Sequence, residues 1–250
     1  MNYRLTIQYD GTEFRGWQTQ RGERTVQGEL TRALALLDGR EGVVLHGAGR
    51  TDAGVHAEGQ VASVQLEREF EPERLRAAVN WNTGRDVRVV AAERAADDFH
   101  ARYSARGKTY RYRVFNERFA SPFWSRYAHQ ESRALDLEKM KSAARLFLGE
   151  HDWTAFSAAQ TDVKTRVRRV TQLEVSDYFC GRGRGRVVEL TIAAEGFLRY
   201  MARSIAGTLL AAGRGEMDDE LIARAIETGD RALVAATAPA HGLTLVEVHY

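Results

Sequence analysis

The sequence predicts an α+β protein built from two ferredoxin-like β-α-β-β-α-β halves, with mostly antiparallel sheets side by side and a central active-site cleft. Three observations carry this. Apolar residues alternate with polar ones over short stretches, as half-buried strands require. Apolar stripes at helical spacing fall between them, each with a start signal. The order of elements in the first hundred residues then recurs in the remainder, as an order and not as a residue repeat. The halves are drawn at 1–104, carrying the candidate catalytic loop, and 105–250, carrying basic segments and an extra helix.

In the first half, Tyr3, Leu5, Ile7 and Tyr9 alternate with Arg4, Thr6 and Gln8, and Asp10-Gly11-Thr12 ends the strand. The loop that follows sets Phe14 and Trp17 beside Arg15 and Gly16. Two uses fit such a loop about equally: stacking on nucleotides, or anchoring the loop to the core. Thr25 is placed to cap a helix with Val26, Leu30, Ala33, Leu34 and Leu37 on one stripe. Strands at about 42–48 and 60–67 follow, then a helix opened by Pro72 and a strand at about 86–94.

In the second half, Lys108 to Asn116 alternates Tyr110, Tyr112 and Val114 with Thr109, Arg111 and Arg113, giving one aromatic and one basic face. Asp136 caps a helix bearing Leu137, Met140, Ala144 and Phe147. Strands at about 166–176 and 186–194 come next, joined by the basic hairpin Gly181-Arg182-Gly183-Arg184-Gly185. A helix from Leu198 to Ala212 carries Met201, Ile205 and Leu209 and stops at Gly213. An extra acidic helix at about 218–228 and a strand from Gly242 to His249 complete the half.

Composition narrows the function classes. The 250 residues carry 36 Lys and Arg against 34 Asp and Glu, a net charge of +2. That balance hides a segregation. Residues 99–126 hold seven basic residues against Glu117 alone, and residues 164–186 hold seven against Glu174 and Asp177. Clustered arginines suit a polyanionic partner, although solvated faces also carry such runs. No apolar run reaches the ~18 residues of a membrane span. Met1-Asn2-Tyr3-Arg4 leads straight into a strand, so neither a signal peptide nor a membrane is expected, and the expected location is cytoplasmic. The lone Cys180 and seven scattered His supply no metal-ligand spacing.

The candidate chemistry centres on Gly49-Arg50-Thr51-Asp52-Ala53-Gly54-Val55-His56-Ala57, between the apolar runs 43–45 and 61–66. An aspartate with an ordinary pKa of about 3.9 is ionised at neutral pH and needs no base to become a nucleophile. Arg50 is placed to hold that charge or to reach a phosphate. Turn chemistry by itself favours a structural role for these residues. His56 reads as a turn stabiliser. Tyr110 has the chemistry of a stacking platform, but the alternation by itself favours a core face shared with Tyr112. Arg203, on an otherwise apolar helix face, calls for a carboxylate partner, Asp52 being one candidate. A glycosidase would need paired acids, and Asp10 and Glu58 are the nearest to hand.

The loop Gly49 to His56 resembles the signature of the tRNA pseudouridine synthase A family. The likeness runs along the chain: Tyr9-Asp10-Gly11-Thr12, Gly16-Trp17-Gln18, Thr25-Val26-Gln27, Gly59-Gln60-Val61 and Asp98-Phe99-His100-Ala101-Arg102. It continues through Lys108-Thr109-Tyr110-Arg111-Tyr112, Met201-Ala202-Arg203, Ala236-Thr237-Ala238-Pro239 and Gly242-Leu243. One departure is Thr83-Gly84, where the family usually has Leu-Pro. The resemblance implies an isomerase that converts uridine to pseudouridine at positions 38, 39 and 40 of the tRNA anticodon stem–loop. It makes Asp52 the nucleophile and Tyr110 the residue stacked on the flipped uracil. Arg203 would orient Asp52, and Arg50 would fill the gap left by the extruded base. It further implies a homodimer and no cofactor, since the reaction is neither an oxidation nor a group transfer. The alternative is a non-catalytic RNA-binding module or RNA chaperone.

Overall fold

The computed structural model describes residues 1–160, 163–181 and 185–250. Residues 182–184 of the basic hairpin lie outside the described residues. The chain is a mixed α/β fold with mostly antiparallel strands, and it divides into two compact units. One is Met1–Arg106 with Thr244–Tyr250, and the other is Gly107–Leu243.

In the first unit the order is β1 (Asn2–Tyr9), α1 (Val26–Asp38), β2 (Leu45–Gly47), β3 (His56–Gln65), α2 (Pro72–Trp81) and β4 (Val87–Arg94). This follows the anticipated β-α-β-β-α-β. Strand β1 lies between β3 and β4, antiparallel to both, and β2 pairs antiparallel with β3. The period-2 pattern in β1 has its cause in burial: Tyr3, Leu5 and Ile7 are fully buried. Thr25 Oγ1 accepts from Gly28 N at 3.2 Å, a cap typically worth about 1 kcal/mol.

The last strand, β10 (Leu243–His249), differs from expectation. It pairs parallel with β3, Thr244 opposite His56 and Leu245 opposite Ala57, and so is not confined to the second half. Gly59 permits that approach, since a Cβ there would stand 2.3 Å from the Val246 carbonyl oxygen. An alternating pattern reports which face of a strand is buried and is silent about its neighbour.

The turn at Thr83-Gly84 is pinned without a proline. Gly84 N donates to Glu29 Oε1 at 2.9 Å, a bond that a proline nitrogen is unable to make. Asp86 beside it takes both Arg24 Nη atoms, at 2.6 and 2.8 Å.

Asp38 closes α1 with a side chain that is 0% exposed. Its carboxylate accepts from Arg40 Nε (2.5 Å), Arg68 N (2.9 Å) and Glu67 N (3.2 Å). Burial pushes this carboxyl up, but Arg40 and the two backbone N–H groups outweigh burial and hold it below its ordinary 3.8. A depressed folded pKa contributes stability that is complete above the unfolded pKa and lost as pH falls through the folded one. Asp38→Asn should therefore lower Tm at pH 7. The gap from wild type should close as the pH falls through the depressed folded pKa, below the ordinary carboxylate range, as melting curves across the acid range will show.

The second unit contains β5 (Gly107–Asn116), β6 (His129–Gln130), α3 (Leu137–Leu146), β7 (Gly149–Asp152), β8 (Val167–Cys180), β9 (Gly185–Ala194), α4 (Met201–Gly213) and α5 (Asp219–Thr228). Its sheet runs β5-β9-β8-β7, antiparallel throughout, with β6 parallel to β5 at its edge. The short strands β6 and β7 have no counterpart in the sequence pattern, being too brief to show a period. Helix α4 is the apolar centre of the unit: every residue in it except Arg203 is buried. Among the described residues no helix is long and apolar enough to cross a membrane.

Candidate active site

Asp52 lies half-buried on the loop between β2 and β3, and that loop is fixed through its backbone. Gln60 Nε2 donates to Gly49 O at 2.9 Å. Trp17 N donates to Thr51 O at 3.0 Å, and Val55 N to Asp52 O at 3.1 Å. Thr51 Oγ1 and the Tyr9 hydroxyl share a 2.8 Å hydrogen bond. Burial pushes the Tyr9 phenol up to about 12 despite its Thr51 and Gln60 hydrogen bonds, so at neutral pH Tyr9 stays protonated and serves as a brace.

Two glycines bring the preceding loop against this one. A Cβ on Gly11 would stand 2.1 Å from the Val55 carbonyl oxygen. Gly16, at φ +88°, would place one 2.7 Å from the Thr51 oxygen. Beneath the contact Phe14 and Trp17 are buried, with Tyr9 6.5 Å from Phe14 and 6.3 Å from Trp17 between ring centroids. Core anchoring is therefore the role of those two aromatics, and base stacking is not. Gly47 makes room for the indole of Trp17. His56 is a turn stabiliser as anticipated: its Nδ1 accepts from Gly11 N at 3.0 Å. Glycines 11 and 16 had a sequence signal, since both sit in the segments that resemble the family, but their partners were not readable there.

Arg50 is exposed on the same loop as Asp52. Tyr110 and Arg203 belong to the second unit. Tyr110, on β5, is 6% exposed and meets Phe197 edge-on, with centroids 4.8 Å apart. Tyr112 on the same face is wholly buried and donates to Pro239 O at 3.0 Å. Arg203 Nε donates to Ala238 O at 2.8 Å, while Ala238 N donates to Arg203 O at 3.1 Å. The segment 236–238 can lie this close because a Cβ on Gly207 would meet Ala236 O at 2.1 Å.

One residue here escaped the sequence reading altogether. Tyr200, immediately before α4, holds φ +69°, a left-handed conformation rare outside glycine. Its ring is faced by the guanidinium carbons of Arg199 and Arg203 at 4.8 and 5.3 Å. The basic face of β5 is also less bare than its charge count, because Glu189 on β9 lies 3.2 Å from Arg111 Nε and 3.0 Å from Arg113 Nε.

A carboxylate held by its backbone on a glycine-hinged loop is the feature to compare with known proteins. A family model described as tRNA pseudouridine synthase matches residues 5–104 and 143–250. This chain belongs to the tRNA pseudouridine synthase family. It is 42% identical over 248 residues to tRNA pseudouridine synthase A of Streptococcus equi subsp. equi, covering 99% of this chain and 98% of that one. It is 41% identical to the enzyme of the same name from Acetivibrio thermocellus, over 100% of this chain and 99% of that one. The enzyme of that name from Bacillus subtilis is 41% identical over the same shares. As a family member the chain is an isomerase by class, and its relatives are named for action on tRNA.

Proposed function

We propose that this synthase isomerises uridine to pseudouridine in tRNA, at positions 38, 39 and 40 of the anticodon stem–loop, with Asp52 as the nucleophile. The observation that carries the reading is full-length similarity to tRNA pseudouridine synthases in a chain whose Asp52 loop is clamped through its main chain. The C1′–N1 bond of the uridine breaks, the uracil turns, and a C5–C1′ bond forms. C5 gives up its proton and N1 ends protonated, so atoms and electrons balance without an outside reagent. The ionised Asp52 supplies the nucleophile for this exchange, and a fixed backbone preserves its aim.

The target base must leave the helix before C1′ and C5 are accessible. Tyr110 stacks on the extruded uracil, Arg203 orients and balances Asp52, and Arg50 fills the space the base vacates. The enzyme works in the cytoplasm as a homodimer, the tRNA lying across both copies, and each half is ferredoxin-like. The β-α-β-β-α-β order of the first unit supports that last point.

The test is to treat unmodified tRNA with the purified protein and map pseudouridine by carbodiimide adducts. Adducts at 38, 39 or 40 are the expected result, and their absence would overturn the proposal. Tyr110→Leu keeps apolar volume beside Phe197 and removes the ring. It should reduce turnover at least about tenfold while tRNA affinity changes less than about threefold. Equal losses in both would count against the stacking role, and Tyr110→Phe separates stacking from any proton relay by the hydroxyl.

A further inference from the structure

The segment Asp98-Phe99-His100-Ala101-Arg102 takes no part in the site described so far, yet the structure divides its residues between two tasks. The inward ones are anchors. Ala101 is wholly buried, its N–H donates to Ser63 Oγ at 3.1 Å, and its carbonyl accepts the Tyr250 hydroxyl at 2.8 Å. Phe99 packs on Tyr250 with centroids 5.2 Å apart, and its carbonyl accepts from Asn2 Nδ2 at 3.0 Å.

The outward residues form a column of rings. His46, on β2, lies 4.6 Å from His100, and His100 lies 4.4 Å from Tyr103, each with ring planes within 40° of parallel. Ser63 joins the two sides of this column. It is the register partner of His46 across the sheet and the acceptor for Ala101 N. His100 is locked as well, its Nδ1 accepting from Arg102 N at 3.1 Å and Tyr103 N at 3.4 Å. That bonding leaves the imidazole proton on Nε2. Burial first, then His46 and Arg102, depress the His100 pKa, in keeping with an uncharged ring.

Tyr103, at the outer end, is 78% exposed. The Arg102 guanidinium lies 5.8 Å from its ring centroid. Residues 99–106 carry Arg102 and Arg106 and no acid. So large a ring, left in water and held by a chain whose N–H groups from Ala101 to Ser104 are all bonded, contributes little to the core. Rigid aromatic ends beside arginine are what an unstacked nucleobase binds, at low cost in side-chain ordering.

We propose that the His46–His100–Tyr103 column is an accessory stacking platform for a nucleobase of the bound RNA, separate from the uridine that reacts. This rests on the RNA-modifying role proposed above. The experiment measures Kd of an unmodified anticodon stem–loop RNA by fluorescence anisotropy across a salt series, for wild type, Tyr103→Ala and Tyr103→Phe. Loss of one base stack should weaken the alanine variant at least about fivefold, whereas the phenylalanine variant stays within about twofold of wild type. Because the ring carries no charge, the slope of log Kd against log salt should be the same in all three. The exposed position predicts an unchanged Tm.

Alanine binding within twofold of wild type would overturn the platform, as would an equal loss in the phenylalanine variant. Wild-type protein that forms pseudouridine while Tyr103→Ala binds normally refutes the platform alone. Failure of the wild type to bind the RNA refutes both it and the functional proposal.

Discussion

Asp52→Asn should abolish pseudouridine formation and leave tRNA bound. Asparagine matches aspartate in shape, but its amide is no nucleophile at neutral pH. The hydrogen bonds that fix the loop engage Gly49 O, Thr51 O and Oγ1 and the Asp52 main-chain oxygen, so the swap leaves them in place. Turnover is expected to fall by at least about a thousandfold. Affinity should hold or tighten slightly, since one negative charge is removed from beside a polyanion. Single-turnover product assays paired with filter binding give both numbers. Residual activity within tenfold of wild type would mean that the nucleophile lies elsewhere.

Gly11→Ala should damage stability and turnover together. The added methyl would sit 2.1 Å from the Val55 carbonyl oxygen, well inside any contact that real Cβ atoms make, and the atom it meets is backbone. Either the Asp10–Thr12 turn or the Asp52 loop must move. Overpacking of this kind costs about 2–4 kcal/mol. Because Gly11 N also donates to His56 Nδ1, the displacement reaches the backbone and the side chain at the Val55–His56 end of the Asp52 loop. The expected result is a Tm several degrees below wild type, with turnover in the folded fraction down at least about tenfold. A methyl tolerated on both counts would show that the two loops are not rigidly coupled.

Much of this was legible in the sequence, and the pattern of what was not has a physical cause. The alternation of β1, the Thr25 cap and the glycine-flanked Asp52 turn are local, so the residues themselves announce them. Phe14 and Trp17 were ambiguous because their ring chemistry suits both a core and a base, and only packing decides. The arginines of β5 looked free because the count along their own segment leaves out Glu189, which arrives from β9. Tyr200 gave no signal because nothing local requires a tyrosine to adopt φ +69°. The placement of β10 was missed for the same reason: pairing over long sequence separation leaves no mark in a two-residue period.

That placement bears on how the molecule is made. Residues 244–250 belong with the first unit although the whole of the second unit, Gly107–Leu243, precedes them in the chain. The edge of β3 that they cover thus waits until the second unit has been synthesised, and a nascent chain halted before them would leave the unit built first as the incomplete one.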